Sequence, residues 1–179
     1  MTTTRFRKLS AVLLAASMAV LASSLPASAE PLASGNETMS GAIVVSGLSG
    51  ARNVVSSAIV AKGAFSGVGK IVERDNLPGD PDTVSRDDLV FAQGTLHIVN
   101  TNLDVSFQLD PRTCVYSVNA KQTSRIEGGT GRFVHSSGTF AATVVAHGIG
   151  SRHPDGSCAD DQAPLSEVDG IEAHGTLAF

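Results

Sequence analysis

An all-β chain closed into an antiparallel barrel of about eight strands is the fold this sequence predicts, and three observations predict it. Short runs with two-residue alternation, rich in Val, Ile, Thr and Phe, recur from Gly41 to the C-terminus. Glycines punctuate these runs, most densely at Gly128, Gly129 and Gly131, where a chain can take positive φ without steric cost. No stretch beyond residue 40 carries the 3.6-residue period of an amphipathic helix. Closure removes the exposed edges that an open sheet of such strands would present. A two-sheet sandwich is the alternative, although the absence of tryptophan and the cysteine spacing disfavour its immunoglobulin variety.

Residues 1–29 read as a cleaved secretory signal peptide. Arg5, Arg7 and Lys8 form a basic leader, Leu9 to Leu25 is apolar, and Ala27-Ser28-Ala29 is a small-x-small cleavage site. The serines that interrupt the apolar run, and the missing basic stop-transfer flank, argue against a membrane anchor. Removing these 29 of 179 residues leaves 150, enough for one domain with a core of its own. Residues 30–40, rich in Pro, Ser, Gly and Asn, read as a flexible arm, and 41–179 as the barrel domain.

The strands follow in order. Ala42 to Leu48, Val54 to Ala61 and Ala64 to Arg74 are apolar or small on both faces, as strands bent around a barrel would be. Asp75 to Asp88, with two prolines and five aspartates, reads as a long loop. Leu89 to Asn100 is the next strand, Thr101-Asn102 a turn, and Leu103 to Leu109 a strand with one wet face. Asp110-Pro111-Arg112 turns again, because proline presets the turn dihedral. Cys114 to Ile126 is a long strand, followed by the glycine corner and a strand from Thr139 to His147. Gly148 to Asp169 reads as a second polar loop, and Ile171 to Phe179 as a final strand paired into the sheet.

Charge and cysteines narrow the function. Without its leader the chain has 10 basic and 17 acidic residues, a formal charge of −7 and no basic stripe, so nucleic acid and anionic membrane surfaces are poor partners. Cys114 and Cys158, in a chain addressed to an oxidising compartment, read as one disulfide and not as a catalytic thiol. The glycine corner lacks the Gly-Lys-Ser/Thr ending of a phosphate loop and leads into a strand, so no cofactor site is expected there. His147, His153, Asp155, Asp160 and Asp161 match no common zinc or calcium spacing and read as solvated loop residues, with no metal expected.

Gly128-Gly129-Thr130-Gly131-Arg132-Phe133, followed by Gly138-Thr139-Phe140, resembles the Gly-Gly-Thr-Gly-x-Phe signature of the allene oxide cyclase barrel-like and dirigent-like superfamily. Asp88-Leu89-Val90-Phe91, Asp110-Pro111-Arg112-Thr113-Cys114 and Asp155-Gly156-Ser157-Cys158 resemble elements of its small secreted actinobacterial members. The resemblance implies an eight-stranded barrel with a central, lipocalin-like cavity. It does not carry over a catalytic set. Where plant dirigent proteins often have Ala-Arg-Gly after the phenylalanine, this chain has Ser136-Ser137-Gly138.

Cavity candidates are Phe91, Gln93, His97, Tyr116 and Phe140. If Phe91 points inward along one strand, Gln93, Thr95 and His97 share its face; otherwise Val90, Leu96 and Ile98 make the core and the polar set faces solvent. The leading expectation is a secreted barrel that binds a small apolar or amphipathic molecule without transforming it. A cyclase or isomerase that steers a reactive intermediate is the alternative, and a side-chain-filled structural or interaction barrel is the third reading. The sequence marks no oligomeric interface.

Overall fold

Ten strands account for most of the described residues: β1 (Ser34–Ser46), β2 (Asn53–Gly63), β3 (Gly67–Arg74), β4 (Val84–Phe91), β5 (Gly94–Leu109), β6 (Val115–Gly129), β7 (Ser137–Ile149), β8 (Ser151–Arg152), β9 (Cys158–Ala159) and β10 (Ser166–Ala178). They belong to a computed structural model in which residues 33–159 and 161–179 are described; the signal-peptide reading of residues 1–29 therefore lies outside the described residues. Eight strands close into one antiparallel barrel in the order β1-β10-β7-β6-β5-β4-β3-β2, while β8 and β9 form a separate two-stranded ribbon. Among the described residues no helix is long and apolar enough to cross a membrane.

The barrel begins earlier than its composition predicts. Residues 34–40, expected as part of a flexible arm, form the first half of β1 and pair in register with β10 from Ser34↔Ala178 onward. Their alternation is carried by Glu37 and Met39, both buried, among polar neighbours that hide it.

Three further expectations change. The run from Leu89 to Asn100 is not one strand: Phe91 pairs with Gly94 across a two-residue turn at Ala92-Gln93, and Gly94 adopts φ 146° there. The turn expected at Thr101-Asn102 is replaced by a continuous β5 whose register against β6 slips between Asn102 and Asp104. The two aspartate-rich loops are shorter than expected, because β4 starts at Val84, β7 runs to Ile149 and β10 starts at Ser166. Neighbouring strands supply the backbone partners that overrule the weak β-propensity of aspartate.

One end of the barrel is plugged by aromatic rings. Phe65 meets Phe91 edge to face at 5.0 Å and Phe133 at 5.1 Å, and Phe133 meets Phe179 at 5.6 Å. Leu96 and Leu177 close the gaps, and the Arg132 guanidinium lies 4.7 Å from the centre of the Phe179 ring. The glycine corner serves this plug. Gly129 lies so close to the neighbouring strand that a Cβ would stand 2.0 Å from the Thr95 carbonyl oxygen, and the chain then turns through Gly131, at φ 58°, to bury Phe133 completely.

Cys114 and Cys158 form the expected disulfide, which ties the β5–β6 turn to the segment between β7 and β10. Cys114 takes φ 58°, a conformation rare for a residue with a side chain. Its amide donates to the Asp110 carbonyl at 2.8 Å, and its own carbonyl accepts from Gly150 N–H at 2.8 Å.

Candidate functional site

The end opposite the plug is open. Inward positions in the middle of the barrel carry small residues, Ala142 and Ala173 among them, so the wall is not filled and a cavity of about 480 Å³ remains. Its deep part is apolar, formed by Met39, Ile59, Leu89, Ile98, Phe140 and their neighbours.

The inward rows turn polar as they approach the mouth. Each polar residue extends an apolar row by one period of two: Glu73 beyond Ile71, Asp87 before Leu89, Asn100 beyond Ile98, Ser124 before Ile126, and Asp169 before Ile171. Three of them form a ladder across β4, β5 and β6. The Asn100 amide donates to Asp87 Oδ2 at 2.7 Å, and Ser124 Oγ donates to Asn100 Oδ1 at 2.7 Å. Next along the wall, Gln122 donates to Asn102 Oδ1 at 2.8 Å.

A charged cluster adjoins this ladder, beginning at Glu73, which pairs in register with Asp87. Arg52, in the connection between β1 and β2, pairs with Glu73, with Glu167 at 3.4 Å and with Asp169 at 3.7 Å. Tyr116 donates its hydroxyl to the other oxygen of Glu167 and packs its ring 5.8 Å from Phe107. Gly148 permits that placement, since a Cβ there would stand 2.5 Å from the Tyr116 ring. Asp169 is only 8 % exposed, and its Oδ1 is buried with no hydrogen-bond partner.

These surroundings displace the titrations. Burial raises Asp87 to about 6, with the charge of Glu73 adding to the effect and the Asn100 bond opposing it. Burial likewise raises Asp169 to about 6, helped by Glu167 and opposed by Arg52. Burial acts against the charge on Arg52, but its bond to Glu73 and the charges of Glu73, Glu167 and Asp169 outweigh it and hold the guanidinium protonated. The Tyr116 phenol is raised by burial and by its bond to Glu167, so it stays neutral and acts as a donor.

The cavity candidates separate on this geometry. Phe140 lines the cavity, while Phe91 faces inward but belongs to the plug. Gln93 sits exposed on the turn between β4 and β5, where its carbonyl accepts from Arg132 N–H at 3.0 Å. His97 lies on the outer face, 2.7 Å from Asp88. The turn at Ala92-Gln93 is the reason: it resets the phase, so Phe91 and Leu96 both point inward and no single face holds Phe91, Gln93 and His97. Tyr116 stands at the rim beside Glu167.

Arg52, Glu73, Asp87, Asn100, Ser124 and Asp169 were not among the sequence candidates. The signal is present for the five strand residues, since each continues an inward row in phase, but it requires the strand ends to be placed correctly; Arg52, in the connection between β1 and β2, has no such signal. Composition places Asp87 in a loop and Asp169 at the end of another. Among the described residues no group of three or more His, Cys, Asp or Glu side chains is placed to hold a metal ion. His153 stands 3.6 Å from Asp161, and Asp160 lies outside the described residues.

Comparison with protein families, with characterised proteins and with solved structures finds no match to this chain.

Proposed function

We propose that this is a secreted β-barrel that binds one small amphipathic molecule, with the apolar part in the barrel and a polar group among the residues of the mouth. The observation that carries the reading is the cavity itself: about 480 Å³, apolar in its depth and polar on one rim, the arrangement that small-ligand sites share. The disulfide fits an oxidising compartment, in keeping with the leader read from residues 1–29. The Gly128 to Phe133 corner supports membership of the allene oxide cyclase-like and dirigent-like group through its resemblance, and the eight-stranded barrel is the architecture that resemblance implies.

Native mass spectrometry of detergent-free protein, as purified and after incubation with a neutral medium-chain alcohol, tests the reading. One non-covalent adduct per chain is expected, and Ala142→Leu, which pushes a larger side chain into the cavity, should abolish it. Bare chain under both conditions would refute the proposal.

A cyclase or isomerase is the second reading, and a specific observation favours it. Asp87 and Asp169, each raised to about 6 by burial, line the same cavity, so near pH 6 one carboxyl can serve as the acid while the other serves as the base. Turnover of a reactive epoxide or quinone methide that is lost in Asp87→Asn, with binding retained, would favour this reading over simple binding.

A further inference from the structure

The charges at the mouth do not balance, and their imbalance describes a ligand. Five carboxylates, Glu73, Asp75, Asp87, Glu167 and Asp169, stand at the mouth with three guanidinium groups, Arg52, Arg74 and Arg86, of which Arg52 is the one paired with Glu73, Glu167 and Asp169. Arg74 and Arg86 line the same cavity but are paired with carboxylates outside its lining. Arg86 is held by Asp80 at 2.7 Å and Glu127 at 2.9 Å, and Arg74 lies 3.3 Å from Asp88. On β7 the nearest titratable side chain, His147, is on the exposed outward face, and on β6 Tyr116 is a neutral donor.

A second observation is independent of that count. Asp169 lines the cavity, has its side chain about nine-tenths buried, and keeps Oδ1 without a hydrogen-bond partner. A buried acceptor left unsatisfied costs on the order of 1–3 kcal/mol, which a donor arriving from the cavity would recover. No three of the carboxylates converge as a metal-binding group among the described residues, so their spacing fits a larger organic cation better than a bare metal ion.

Resting on the ligand-binding reading above, we propose that the ligand is an amphipathic amine, its hydrocarbon portion lying against Met39, Ile59 and Phe140 and its protonated head seated among Glu73, Asp87 and Asp169. An ammonium donates to Asp169 Oδ1 and neutralises the surplus charge that Arg52 leaves. An anionic head would meet repulsion from the same carboxylates, and a neutral one would leave the surplus in place. Because Asp87 and Asp169 both titrate at about 6, the preference belongs to neutral pH and weakens as these groups protonate.

Calorimetric titration of the folded protein with n-octylamine, n-octanol and n-octanoate tests this, since the three probes share a hydrocarbon chain and differ at the head. At pH 7.5 octylamine is expected to bind about tenfold more tightly than octanol, with octanoate weakest, and the advantage should shrink at pH 5. Asp169→Asn should remove most of the advantage of octylamine over octanol. Glu73→Gln serves as a second variant, with thermal melting to verify that each is folded. Equal binding of the three probes, or tightest binding of octanoate, would overturn the amine proposal and leave the apolar-ligand reading standing. Failure of both octanol and octylamine to bind would overturn the two together.

Discussion

Asp169 Oδ2 lies 3.7 Å from the Arg52 guanidinium while Asp169 Oδ1, on the same carboxylate, is buried without a partner. The group is half compensated. Arg52 divides its attraction among Glu73, Glu167 and Asp169, so it cannot offset the desolvation of any one of them in full. This shared cation, set above an apolar cavity, determines how the mouth should respond to pH and to mutation.

Asp169→Asn is expected to stabilise the protein at neutral pH. The folded-state value of about 6 lies above the ordinary carboxylate value of 3.8, so the folded protein holds this proton more tightly than the unfolded chain. Stability attributable to the group is therefore present at low pH and lost as pH rises from about 4 to about 6. With solvent screening at the mouth allowed for, the gain at pH 7.5 should be about 1 kcal/mol, or roughly 2–4 °C in Tm, and should vanish near pH 4. Thermal melts across that range check it. A variant less stable than the parent at pH 7.5 would mean that the Arg52 contact outweighs burial.

Arg52→Gln should act in the opposite sense. Removing the guanidinium leaves Glu73, Glu167 and Asp169 facing one another, which costs about 1–2 kcal/mol at pH 7.5 and less at pH 5, where protonation of Asp169 relieves part of the repulsion. Urea unfolding at the two pH values measures the difference.

Phe133→Ala should destabilise the barrel by about 3–5 kcal/mol, because the ring is fully buried between Phe65 and Phe179 and its loss opens a cavity in the plug. Phe107→Ala, at a ring 58 % exposed on the distal half of β5, should change stability by less than about 1 kcal/mol. Parallel denaturant melts of the two variants test whether the plug or the rim holds the fold.

Replacing both cysteines with serine should lower stability by about 2–4 kcal/mol. The same change should expose the segment between β7 and β10 to limited proteolysis, since the disulfide ties that segment to the turn at Cys114. An unchanged cleavage pattern would show that the Gly150 to Cys114 backbone bond suffices to hold it.

The strand pattern makes the barrel legible in the sequence, because period-two alternation and glycine corners are local properties of the chain. The plug is legible only in part: the Gly128 to Gly131 corner reads as a turn, but its role in burying Phe133 depends on contacts with Phe65 and Phe179, far away in sequence. The site was the least legible. Asp87 and Asp169 belong to strands because Glu73 and Ala146 stand opposite them in register, and nothing in an aspartate-rich run announces such a partner. His97 and Gln93 misled for the converse reason. A two-residue turn at Ala92-Gln93 inverted the phase of everything after it, so residues that look contiguous on one face lie on different sides of the wall.

The most direct test of the cavity is a titration of parent and Ala142→Leu proteins with the neutral apolar fluorophore N-phenyl-1-naphthylamine, followed by its emission. The parent should enhance the fluorescence saturably at one probe per chain, and the variant, with the same fold by circular dichroism, should not. Equal enhancement by both proteins, or none by either, would contradict a ligand-binding barrel interior.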